Sequence, residues 1–454
     1  MRIAGPRECC TRRSPRASPR SGWLTATVWK RPRWTAFIRS LKERAKSWTT
    51  TPAAWALWDI PVFPGLFGGH WTRLDFLGAA GVILAVLYVG FLNINFTSPH
   101  RHYRNKLAEA YLIQPAAEPT PARPSQEAVE LKLSDLDRAT HRAPYHLVNC
   151  ALNVPASRNP AMQGRLSDFF LFSRAFCGSP LTGYARTEHW ERVDPHLDLG
   201  TAMAISGAAA APQMGLGTMR QFSFWLALLN IRLGYWVRNP QKSAWWHGGV
   251  PGLWFLLKEM LGSMNENSPW LNVSDGGHIE NLGVYELLRR RCKYIVAIDG
   301  EQDPKMTFHA LTTLQRLARI DFDVTIDVDL DDLRLTPAGL SRSHFRLCRV
   351  HYPEKTCGYL LYAKLSLTGN EGEFLRRYRS DEPVFPHHST ADQFFTETQF
   401  EAYRSLGEHV GDGLFLQGMV GGLGDSDSVN LEEWFQEIGK SLLDPLPSEC
   451  EPVP

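Results

Sequence analysis

Between residues 146 and 300 the chain alternates apolar runs with stretches of helical spacing. HLVNCALNV, His146 to Val154, reads as a strand, and a small-residue helix follows around Thr201 to Ala211. LNVSDGG, Leu271 to Gly277, is a strand closed by two glycines, then come a helix through Gly283 to Arg291 and the strand KYIVAIDG, Lys293 to Gly300. Strands separated by helices of about ten residues predict βαβ units, and so an α/β domain on a mostly parallel sheet. FDVTIDVDL, Phe322 to Leu330, alternates apolar and polar positions, as an edge or half-buried strand does. Ser389 or Thr390 offers an N-cap to a helix carrying Phe394, Phe395 and Phe400, with Gly407 as its stop. From Gly411 a glycine-rich tail holds one amphipathic helix near Leu431 to Leu443, and no internal repeat is visible.

Upstream the pattern changes. Phe76 to Leu92, FLGAAGVILAVLYVGFL, carries no charge and shows no polar stripe. At about 1.5 Å per residue it spans roughly 26 Å as a helix, slightly short of the ~30 Å hydrocarbon core, and Ile94 and Trp71 can extend it. A transmembrane helix over 76–94 is expected, with a buried core helix as the alternative. Ala53 to Trp71, interrupted by Asp59, Pro61 and Pro64, reads as interfacial or re-entrant. Arg73 stands on one side of the run and Arg101, Arg104 and Lys106 on the other, which places the C-terminal domain of a single-pass membrane protein in the cytoplasm. QPAAEPTPARPSQ, residues 114–126, is a proline-rich linker. The expected organisation is a basic disordered leader (1–47), a membrane-associated region (48–94), a juxtamembrane segment and linker (95–143), a catalytic-type domain (144–410) and a tail (411–454).

Composition, 44% hydrophobic and 21% charged, is that of a globular protein. The net charge of +2 conceals a split, because residues 1–73 carry a local +11 and residues 74–454 a local −9. Nucleic acid is excluded as a partner of the folded part, since binding a polyanion needs a positive field over the binding face. Eight cysteines lie scattered without CxxC pairs, which fits a reducing compartment. Cys348, His351 and Cys357 are the tightest Cys/His group, but three residues without a fourth fit strand packing better than a metal site. No metal is expected.

The spot richest in chemistry is Asp275-Gly276-Gly277. A carboxylate at the end of an apolar strand, with two glycines behind it, can be aimed into a cleft, although Asp-Gly is also an ordinary turn. The longer string SDGGHIENLGVYELLRRRCKYIVAIDG resembles the aspartate-bearing segment of patatin-like phospholipases, in particular the bacterial membrane-associated branch related to cytosolic phospholipase catalytic domains. SPHRHYR (98–104), HLVNCALNVP, RLSDFFLFSRAFCGSPLTGY (165–184), GTAMAISGAAAAPQMG (200–215), LLNIRLGYWVRNP (228–240) and FPHHSTADQFFTETQFEAYRSLG extend the resemblance in order over roughly residues 95–410.

The resemblance implies a three-layer patatin-like fold, incomplete at its N-terminal side, and a lipolytic acyl hydrolase of the carboxylic ester class acting on membrane lipid or related acyl esters. A Gly-x-Ser-x-Gly serine attacks the ester, and the aspartate of the DGG motif, Asp275 here, is its base, with Gly276 and Gly277 shaping the turn. No metal or organic cofactor enters that chemistry. The nucleophile is missing, because no serine in the chain has glycine at both −2 and +2. The closest, Ser206, has alanine at both and lies downstream of where the family places its elbow; the glycine-rich oxyanion loop is absent as well. The chain therefore reads as the C-terminal, aspartate-bearing portion of an enzyme whose serine lies on an upstream segment. The alternative is a catalytically dead membrane-anchored scaffold.

Other residues have quieter readings. His278 suits a turn or cap, Glu280 and Asn281 suit capping of the next helix, and Asp299 suits a turn over a cleft-lining role. Trp225, Trp236, Trp245, Trp246 and Trp254 suit either a core or a lipid-docking face.

Overall fold

A computed structural model of the chain describes residues 63–64, 70–71, 77–84, 92–120, 123–127, 130–136, 144–162, 164–209, 230, 232–239, 241–242, 250–389, 395–414, 430–442 and 451–452. Contacts divide the chain into two compact units, Met1–Ala85 and Val86–Pro454. In the first, the described residues form a short antiparallel pair, Phe63–Pro64 with His70–Trp71, and a helical segment over residues 77–84.

The second unit opens with α1 (His100–Tyr111) and a two-stranded hairpin, Ile113–Thr120 with Arg123–Glu127, over the proline-rich stretch. Its first sheet is built from β1 (Leu147–Asn153), β2 (Ser167–Ser173), β3 (Phe176–Ser179) and β4 (Gly183–Arg186). After α2 (Thr187–Val193) and α3 (Leu199–Ser206) the chain adds β5 (Tyr235–Arg238), α4 (Leu253–Met260) and β6 (Trp270–Asp275). The six strands run in the order β4-β3-β2-β1-β6-β5, and every neighbouring pair is antiparallel. All seven residues of β2 are buried, which fits a strand covered on both faces. Asp198 caps α3 by accepting a 2.7 Å hydrogen bond from Thr201 N, and Leu199, Ala202 and Ile205 turn into the core under β1 and β6.

α5 (Tyr285–Arg289) leads to the second sheet, made of β7 (Tyr294–Asp299), β8 (Thr325–Asp327), β9 (Phe345–His351) and β10 (Thr356–Lys364). Between β7 and β8 lies α6 (His309–Phe322); α7 (Glu373–Asp381), α8 (Glu397–Leu414) and α9 (Leu431–Leu442) follow β10. The order is β7-β10-β9-β8, with only β7 and β10 parallel among these four; Glu451–Pro452 adds a short parallel pairing to β10. Strand alternation sends Cys348, Val350, Leu360 and Tyr362 to the face covered by α6. Leu347, Leu361 and Ala363 go to the other face, covered by α7, α8 and α9. Phe169 of β2 stacks on Tyr285 of α5 with ring centroids 3.9 Å apart and so joins the two sheets.

Three expectations are overturned. The sheet is not mostly parallel: β6, α5 and β7 do follow one another, but β6 pairs with β1 and β5 while β7 pairs with β10, so the connection crosses between sheets and makes no βαβ unit. The three-layer patatin-like description with a parallel centre falls with it. The transmembrane helix is not supported either, since no helix among the described residues is long and apolar enough to cross a membrane. Within the 76–94 run the described helix covers residues 77–84, residues 85–91 fall outside the description, and Ile94 is fully buried against Trp236, Leu256, Met264 and Trp270. A single-pass membrane location rested on that helix and is withdrawn. The leader over 1–47 lies outside the described residues.

Smaller differences have local causes. Phe322 closes α6, whose buried positions Leu311, Leu314, Leu317 and Ala318 follow helical spacing, so the edge strand shrinks to Thr325–Asp327. Gly407 does not stop α8, which runs on to Leu414. The expected caps are split: Ser389 is described, and Thr390 and Phe394 are not.

Candidate functional site

Asp275 ends β6. On one side it is in register with Cys150 of β1; on the other, pairing with β5 stops at Val273 opposite Tyr235. Ser274 and Asp275 thus project past one neighbour. The chain then closes a 3-10 turn, Gly276–His278, which Asp275 caps by accepting a 2.8 Å bond from Gly277 N at Oδ1. Oδ2 has no hydrogen-bond partner among the described residues.

The two glycines are required by space. A Cβ on Gly276 would stand 2.5 Å from the backbone oxygen of Asn149, and one on Gly277 would stand 2.6 Å from Asn281 Oδ1 and 3.2 Å from Asp275 Oδ1. The motif therefore works by close approach of two backbones, since neither glycine has a positive φ.

Burial pushes the Asp275 carboxyl above its usual range, against the pull of the Gly277 N–H and of His278. Burial likewise lowers His278, opposed by the Asp275 charge and by a bond to the Ala209 backbone, and its Nδ1 lies 3.2 Å from Ser274 Oγ. Tyr103 of α1 and Cys150 are both raised, first by burial and then by the charge of Asp275. Cys150 is thus held as a neutral thiol, a poor nucleophile. Ser206, at the end of α3, donates at 2.7 Å to Asn149 O, and Tyr103 OH donates at 3.0 Å to Gly207 O. No serine hydroxyl is hydrogen-bonded to Asp275 among the described residues.

The structure thus gathers Asp275, Gly276, Gly277 and His278 with three residues that sequence reading did not connect to them, Tyr103, Asn149 and Cys150. All three lie within segments quoted for the family resemblance, as does Ser206. Elsewhere it separates the candidates. Glu280 is buried and caps α5, accepting from Leu282 N at 2.5 Å, Val284 N at 3.0 Å and Tyr285 N at 3.2 Å. Burial raises its carboxyl, and those N–H groups oppose the rise. Asn281 packs against Gly277. Asp299 belongs to the second sheet, where it accepts from Lys364 Nζ at 2.9 Å, Glu301 N at 2.8 Å and Tyr362 OH.

Cys348 and His351 are three residues apart on β9 and so face opposite ways, while Cys357, paired with His351, is disulfide-bonded. That trio is no ligand set, and the reducing-compartment reading does not extend to Cys357. Trp236 is buried and donates from Nε1 to Glu259 at 3.2 Å; Trp254 on α4 is 61% exposed; Trp225, Trp245 and Trp246 are outside the described residues.

No protein-family profile matches the chain, and no curated protein matches it. Among solved structures, human GIVD cytosolic phospholipase A2 is similar at a TM-score of 0.34 and 16% identity, over 81% of this chain. This chain spans 56% of the length of that one. A likeness at that level assigns neither fold nor activity.

Proposed function

We propose that this chain carries the base of a lipolytic acyl hydrolase with a Ser-Asp dyad, Asp275 being the base, with the attacking serine supplied from outside the chain. One observation carries the reading: a carboxylate at a strand end has one oxygen fixed by Gly277 N–H, the other without a hydrogen-bond partner among the described residues, and burial that raises its proton affinity. A general base works best when its pKa is drawn toward the operating pH, and burial moves a carboxylate that way. A serine hydroxyl placed against Oδ2 would pass its proton there as its oxygen attacks the ester carbonyl. The proton then goes to the departing alkoxide, leaving an acyl-serine that water hydrolyses by the same relay. The substrate is a membrane lipid or related acyl ester.

The test joins the chain to a segment bearing a Gly-x-Ser-x-Gly elbow and follows a fluorogenic acyl ester. Hydrolysis is expected, with Asp275→Ala lowering kcat by on the order of 10²–10⁴-fold. Full activity in that variant would sink the dyad. Stoichiometric labelling of Ser206 by a fluorophosphonate in the unjoined chain would show a nucleophile already present, while an inert joined protein that still binds lipid would favour a scaffold.

A further inference from the structure

We propose that His344, Glu371 and His409 form a divalent-cation site of the zinc type, which pins α8 to the loops flanking β9 and β10. Their ligand atoms all lie within 4.8 Å of one another, the only such His/Cys/Asp/Glu group among the described residues. His344 immediately precedes β9, Glu371 lies between β10 and α7, and His409 is on α8, so three separate elements converge. His344 and Glu371 are buried and His409 is half-buried.

Polar neighbours orient each side chain, as those around a metal site do. Asn370 Oδ1 lies 3.0 Å from His409 Nε2; a carbonyl oxygen only accepts, so Nε2 carries the proton and Nδ1 keeps its lone pair. His344 Nδ1 is 3.0 Å from Ser366 Oγ, a hydroxyl able to accept its N–H and leave Nε2 as the ligand. The Glu371 oxygens are oriented by Thr368 N at 2.5 Å and Gly369 N at 2.9 Å, and each carboxylate oxygen retains a further lone pair.

Thr368 Oγ1 lies 3.0 Å from His344 Nε2, 2.6 Å from Asn370 Oδ1 and 3.5 Å from Glu371 Oε1, and so lines the same cluster. With His344 protonated on Nδ1, its Nε2 lone pair is open to a cation. Two imidazoles and a carboxylate are a zinc donor set with bonds of about 2.0–2.2 Å, so binding draws the three inward and leaves a fourth position open. The two rings meet edge to face with centroids 5.4 Å apart, in contact before any cation arrives. The site belongs to the second sheet and its helices, so a cation there ties α8 to the residues before β9 and after β10.

The full chain, stripped with a chelator, should bind one zinc ion per molecule by titration calorimetry and unfold at a higher temperature with zinc than without it. Cobalt should give the visible absorption of a tetrahedral site. His409→Gln and Glu371→Gln should each weaken zinc binding by at least roughly tenfold. His351→Gln, which alters a separate His/carboxylate pair, His351 with Asp327 at 2.7 Å, should not. If the ligand variants do not fold by circular dichroism, the wild-type cobalt spectrum and zinc stoichiometry decide. No uptake, an unfolding temperature indifferent to zinc, or binding that follows His351 would overturn the site and leave a hydrogen-bond network alone.

Discussion

Two strand ends in this protein share a local sequence and differ in everything else. β6 ends in Asp275-Gly276 and β7 ends in Asp299-Gly300. Asp299 is saturated by an ammonium, a phenol and a backbone N–H, and its ion pair with Lys364 leaves the two side chains 1% and 0% exposed. Among the described residues, Asp275 has one N–H on one oxygen. Gly276 abuts the neighbouring backbone, whereas Gly300 has nothing within 4 Å of where a Cβ would stand. An Asp-Gly at a strand end is therefore neutral information, and its meaning is set by what the neighbouring strands bring up to it.

The contrast can be broken most forcefully at Lys364. Lys364→Met leaves Asp299 buried without its cation, and the expected loss is about 3–5 kcal/mol in urea unfolding. A loss below 1 kcal/mol would mean that Asp299 is not held by that charge. At the glycines, Gly276→Ala must displace Asn149 and should cost about 1–3 kcal/mol. Gly300→Ala, at an open position without positive φ, should be neutral or stabilise by about 0.4–1 kcal/mol. Equal effects at the two positions would remove the distinction between them.

The smallest effect sharpens the electrostatics. With its pKa raised by burial, Asp275 keeps a proton in the folded state at pH values where the unfolded chain has lost it. Stability then falls as pH rises from the ordinary carboxylate value, near 3.8, through the raised one. Asp275→Asn should flatten that segment of the stability profile measured by denaturant titration. An unchanged or steeper fall in the variant would mean that the carboxyl is not raised.

Local pattern was enough to mark β1, β6 and β7, because each is an apolar run longer than its neighbours allow to be anything else. The amphipathic α9 and the edge position of β8 were legible for the same reason. Pairing was not. Whether β6 lies beside β7 depends on contacts with β1 and β10, distant in sequence, and adjacency along the chain pointed to the wrong sheet. Gly407 misled because glycine stops a helix only when the chain has a reason to turn, and α8 continues to bury Val410 and Leu414. At the candidate site, Asp275 and its glycines were visible as a motif, but Tyr103, Asn149 and Cys150 come from α1 and β1 and carry no local mark of their role. His344, Glu371 and His409 are closer in sequence, 27 and 38 residues apart, but still too far for a spacing rule to unite them.

The order of strands in the first sheet also has a temporal side. β1 to β4 pair each with the one before, so a nascent chain can lay them down as a meander as soon as they are made. β6 joins the open edge of β1 much later, after loop closure from residue 153 to residue 270, and among the described residues β5 has no partner except β6. A chain still short of residue 270 can hold neither strand in place. The strand that bears the carboxylate is thus a keystone in time as well as in space: two strands of six wait for its synthesis.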